Sequence, residues 1–108
     1  MKKSFALLLF FCAIFTMAQE RKHTATENVK IISEKFEIPQ LKTTRRIWIY
    51  LPKDYETSHK KYKVMYLQDA QNLFDDATSY AGEWQVDETL NKIFEKTGKS
   101  LIVVGIDN

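Results

Sequence analysis

The chain has 108 residues, 44% of them hydrophobic and 28% charged, with two prolines, three glycines and one cysteine. That length holds one small domain, whereas the covered parallel sheet of an α/β enzyme commonly takes roughly twice as much chain. The formal charge of +2 resides in Lys2 and Lys3, because the remaining 14 basic residues equal the 14 acidic ones. Without a basic face, nucleic acid is excluded as a partner.

Lys2 and Lys3 precede an apolar run from Phe5 to Phe15, then Thr16-Met17-Ala18 and the polar Gln19-Glu20-Arg21. Those three parts in that order make residues 1–18 a signal peptide. The run is too short for the roughly 20 apolar residues that span a bilayer, so no stable membrane anchor is expected. The mature chain is expected outside the cytoplasm, in the periplasm or the medium. Phe11 stands before Cys12 where lipidation would need a small residue. Cleavage after Ala18 leaves no cysteine, and with it no disulfide, thiolate nucleophile or thiolate metal site.

Residues 19–27 carry no hydrophobic period and are expected to form a short flexible lead-in. Val29, Ile31, Phe36 and Ile38 then mark an extended segment stopped by Pro39, which has no N–H for a ladder. Residues 43–51 alternate Ile47, Ile49 and Leu51 against Arg46, Trp48 and Tyr50, closed by Pro52, and are expected to pair antiparallel with the first strand. After a polar stretch, the run from Tyr62 to Leu67 lacks alternation, as strands buried on both faces do. Val86, Leu90, Ile93 and Phe94 recur at helical spacing, Glu88 stands four before Lys92, and Gly98 is placed to end the helix. Leu101 to Ile106 is a second apolar run rich in branched residues. A buried strand, a helix and another buried strand form a βαβ unit whose two strands lie parallel through a right-handed crossover.

The fold class is therefore α/β, with antiparallel leading strands followed by a βαβ unit. Ligands on open α/β sheets bind beyond the carboxyl ends of the strands, which puts the loop from Gln68 and the terminal Asp107-Asn108 on one edge. A sheet ending at Asn108 is expected to be incomplete, its last strand left with unpaired backbone groups.

Arg46-Ile47-Trp48-Ile49-Tyr50-Leu51-Pro52 with Tyr55, and Val64 to Asp75 reading VMYLQDAQNLFD, resemble the Putative esterase family of α/β-hydrolases, which includes esterase D, enterochelin esterases and feruloyl or acetyl-xylan esterases. Glu83-Trp84 and Val104-Gly105-Ile106-Asp107-Asn108 extend the resemblance over residues 28–108, read as the N-terminal, truncated portion of that domain. It implies a serine carboxylic-ester hydrolase with a small-molecule or glycan ester substrate and no cofactor. It also implies an oxyanion-hole donor in the loop after the third strand, at Ala70 or Gln71. Asp69, Trp84, Asp107 and Asn108 become candidates for the substrate edge. Where such chains commonly carry Asp-Gly-Gln, this one has Asp69-Ala70-Gln71, and alanine resists the positive φ that glycine permits.

No serine stands in Gly-x-Ser-x-Gly, and His23 and His59 lie in polar segments where a solvated imidazole is the expectation, so no catalytic residue is assigned within the 108 residues. The piece is expected to be inactive alone. Gly98-Lys99-Ser100 precedes a strand, with Ile93 in place of a first glycine, which excludes a phosphate-binding loop. Asp69, Asp75 and Asp76 lack calcium-loop spacing, and no metal site is assigned. The rival reading is a non-catalytic exported glycan-binding module that uses the aromatic residues and the acidic loop.

Overall fold

The computed structural model of the chain describes residues 20–108; the export signal read at residues 1–18 lies outside them. The elements follow as β1 (Val29–Ile38), a 3₁₀ turn (Pro39–Leu41), β2 (Thr43–Tyr50), β3 (Val64–Gln68), a second 3₁₀ turn (Ala70–Asn72), α1 (Val86–Thr97) and β4 (Ile102–Ile106). Among the described residues no helix is long and apolar enough to cross a membrane.

The strands form one mixed sheet in the order β1-β2-β4-β3. β1 and β2 are an antiparallel hairpin running from Val29↔Tyr50 to Ile38↔Thr43. Its turn is built by Pro39, which supplies no ladder donor, and by Lys42, which takes a left-handed conformation and donates its N–H to Pro39 O. β4 pairs antiparallel with β2 and parallel with β3, from Val64↔Ile102 to Gln68↔Ile106. The parallel pair across α1 is the βαβ unit expected from the alternation of apolar runs and helical period.

Two expectations about the sheet are corrected. β4 is not the unpaired strand, because the crossover drops it between β2 and β3 and satisfies its ladder on both sides. The open edges are β1 and β3, each with one neighbour among the described residues. Nor is β3 buried on both faces: Val64, Met65 and Tyr66 are exposed, Tyr66 at 70%, since an edge strand lacks cover from one flank.

The core lies on one face of the sheet. Trp48 and Tyr50 of β2, Val103 of β4, and Ala70, Leu73 and Phe74 from the segment after β3 are all buried, with Val29, Leu67, Val86, Leu90 and Leu101 packed around them. The Trp48 and Phe74 rings meet at 6.0 Å between centroids, tilted by 39°, within the range that aromatic pairs favour. Gly105 makes the layer possible: a Cβ there would stand 2.7 Å from Ala70 Cβ and 3.2 Å from Phe74 Cε2.

α1 ends where Gly98 adopts φ 68° and donates its N–H to Phe94 O, as a C-terminal glycine does. Its inward stripe is partly polar. Asp87 and Asn91 are its buried residues, while Ile93 is 44% exposed. The physical reason is the segment passing beneath it: Asn28 Nδ2 and Tyr50 Oη both donate to Asn91 Oδ1, at 2.9 and 2.8 Å.

Candidate functional site

The carboxyl ends of β3 and β4 converge as parallel register requires. Gln68 lies opposite Ile106, and the loop and the terminal residues are joined directly, with Asn108 N donating to Gln71 Oε1 at 3.0 Å. Beside this junction a shallow cavity of about 210 Å³ is bordered by Gln68, Asp69, Asp107 and Asn108 with Ile38, Leu41 and Arg45. A wider cleft of about 340 Å³ opens at the opposite end of the sheet around Leu51, Pro52 and Tyr55. It is lined by none of the site candidates, and in an α/β sheet the strands' carboxyl edge has the better physical claim to chemistry.

The turn after β3 is shaped by Asp69. It takes φ 55°, and the 3₁₀ turn of Ala70–Asn72 begins immediately after it. The positive φ therefore falls on a residue type that tolerates it, and Ala70 keeps an ordinary conformation. Asn72 N and Leu73 N are satisfied by Asp69 O and Ala70 O, at 2.9 and 3.1 Å. The N–H groups of Ala70 and Gln71, the first two of the turn, have no acceptor among the described residues, as helix-like starts leave their leading donors free. Ala70 has no exposure and Gln71 is half-buried, which leaves Gln71 the better candidate of the two to meet an oxygen from solvent.

Asp107 is held from beneath. Trp48 Nε1 donates to its Oδ1 at 2.7 Å, and Arg46 Nε, which pairs with Glu34 at 3.1 Å, lies 3.8 Å from its Oδ2. Burial raises its pKa above the ordinary aspartate value, against the lowering effect of Trp48 and Arg46. Its carboxylate thus braces β4 against β2.

Trp84 is 68% exposed and Tyr80 89% exposed. Both are fixed by their backbones to Asn72: Tyr80 N donates to Asn72 Oδ1 and Trp84 N to Asn72 O, each at 2.8 Å. Two exposed aromatic residues are therefore anchored by their backbones to Asn72, the residue that follows Gln71.

A polar network not foreseen from the sequence surrounds the edge. Residues 20–28 run past the loop and α1, where Thr24 N and Ala77 N each donate to Asp75 Oδ1 at 3.0 Å. His23 Nδ1 lies 2.8 Å from Asp75 Oδ2, with its own side chain 81% exposed. Burial raises the Asp75 pKa, but hydrogen bonds from His23, Thr24 and Ala77 outweigh it and hold the carboxyl below its usual value. Thr26 donates to Asp87 Oδ2 from N and Oγ1, at 2.8 and 3.0 Å. Partners 51 to 61 residues apart leave no periodic trace in a sequence. Polar side chains with alternation of neither kind were the available signal.

Glu88 makes no ion pair with Lys92. It turns toward Glu83 and Asp87, whose ligand oxygens lie with its own within 4.8 Å of one another. Desolvation, then contact with Asp87, pushes the Glu88 pKa up to about 7.

Among known proteins, a family model described as Putative esterase matches residues 38–108. No curated protein and no solved structure matches the chain.

Proposed function

Because the chain belongs to the Putative esterase family, we propose that it is the front of an exported serine hydrolase of carboxylic esters, contributing the oxyanion-hole edge of the site. The observation that carries this reading is the N–H of half-buried Gln71, which has no acceptor among the described residues and stands at the carboxyl edge of the sheet. Donors aimed at an acyl oxygen hold the charge that develops when a serine attacks the carbonyl, and one such donor contributes on the order of 10²- to 10³-fold in rate. Within these residues no serine has the Gly-x-Ser-x-Gly surround, so the nucleophile, the acid and the histidine base belong to further chain. The open edge of β3 is where a further parallel strand, delivering the nucleophile beside Gln71, would add. Alone, the 108 residues hydrolyse no ester. Export rests on the two lysines, apolar run and small residues of positions 2–18.

The test is hydrolysis of aryl and acetyl esters by the complete gene product. Activity that is lost on replacing a Gly-x-Ser-x-Gly serine, and that falls about 100-fold or more in Gln71→Pro, which removes one N–H, supports the reading. Turnover indifferent to Gln71→Pro refutes the oxyanion assignment.

The exposed Tyr80 and Trp84 favour one second reading, a non-catalytic glycan-binding module, since flat open rings stack on sugar faces. Quenching of Trp84 fluorescence by oligosaccharide, in a complete product without esterase activity, would select it.

A further inference from the structure

Glu83 lies just before α1, and Asp87 and Glu88 lie in its first turn. One oxygen from each comes within 4.8 Å of the other two. Asp87 is wholly buried, yet its Oδ1 has no hydrogen-bond partner, and the same is true of the buried Glu83 Oε2 and Glu88 Oε2. No lysine, arginine or histidine forms an ion pair with any of the three among the described residues. The bland account is that acids favour helix N-termini. The macrodipole there supplies only about half a positive charge against three carboxyl groups, and it leaves a dry oxygen such as Asp87 Oδ1 unsatisfied.

We propose that Glu83, Asp87 and Glu88 bind a divalent cation of the calcium type, clamping the loop that carries Trp84 to the start of α1. The donors are all hard oxygens. Calcium takes oxygens at about 2.3–2.6 Å in flexible geometry, so ligands on opposite sides of one ion stand just under 5 Å apart, whereas magnesium requires a tighter near-octahedral shell. The scaffold holds the outer oxygens in place: Thr24 Oγ1 donates to Glu83 Oε1 at 2.6 Å and Thr26 to Asp87 Oδ2, leaving the orphan oxygens to the ion. The inference is independent of the esterase reading.

The experiment uses the whole chain, stripped with chelator and titrated with CaCl₂ alone, following the melting transition and, in parallel, terbium luminescence excited through Trp84. With an affinity on the order of 10⁻⁴ M, calcium at about a hundred times that Kd raises Tm by about 10–20 °C, or produces a transition where the stripped chain has none. Terbium luminescence saturates and is displaced by calcium. Glu88→Gln replaces a carboxylate that accepts from no other element among the described residues, so it keeps the fold and weakens binding at least tenfold. The proposal is overturned if calcium leaves the transition, or its absence, unchanged, or if Glu88→Gln binds as the parent does.

Discussion

Gly105→Ala tests how tightly the turn after β3 is pressed onto the sheet. The added methyl would sit 2.7 Å from Ala70 Cβ and 3.2 Å from Phe74 Cε2, where unstrained carbon contacts lie near 3.5–4.0 Å. The turn must therefore retreat by about 1 Å, or the ring of Phe74 must leave its place against Trp48. Overpacking of this kind costs about 1–3 kcal/mol, and for a domain of this size each kcal/mol lowers Tm by about 4–8 °C. Thermal and urea unfolding of the parent, Gly105→Ala, Ala70→Gly and the double variant complete a cycle. Since the shortest contact is with Ala70 Cβ, Ala70→Gly in the Gly105→Ala background is expected to recover at least half of the loss, with a coupling energy of about 1 kcal/mol or more. A Tm for Gly105→Ala within 2 °C of the parent's, or strictly additive single effects, refutes the claim that glycine is required by close approach.

Trp48→Phe keeps an aromatic ring against Phe74 but removes the donor to Asp107. Stability is expected to fall by about 1–3 kcal/mol, and the Asp107 pKa, followed by carbon-detected NMR, to rise further; an unchanged titration counts against the brace. Asp75→Asn tests the lead-in contacts. The folded pKa of Asp75 is depressed, so its contribution is present above the ordinary aspartate value and is lost as pH falls through the folded one. The variant should be about 2 kcal/mol less stable at neutral pH, and the gap should close under acid; a gap independent of pH would contradict this sign. Tyr66→Lys places a charge on the exposed edge of β3 and should suppress concentration-dependent association in sedimentation experiments. Association unaffected by the lysine would show that the open edge is not the sticking surface.

The sequence by itself determined the elements. Prolines at 39 and 52, the alternation through Ile47 to Leu51, the helical period of Val86, Leu90 and Phe94, and the glycine at 98 act through neighbours a few residues away, so local chemistry was enough to read strands, helix and order. The parallel βαβ unit followed, because a strand, a helix and another strand admit essentially one handed crossover. The convergence of Gln68 with Asp107 and Asn108 came with it.

Only the tertiary structure decided the rest. It set β4 between β2 and β3 and left β1 and β3 as the edges, since strand order depends on which partners satisfy each ladder and no single run encodes it. It placed the positive φ on Asp69, leaving Ala70 free to pack on Gly105. It drew His23, Thr24 and Thr26 to carboxylates more than 50 residues away and turned Glu88 from Lys92 toward Glu83 and Asp87. Those are meetings of polar groups distant in sequence, and their energies depend on burial, which exists only once the chain has closed around them.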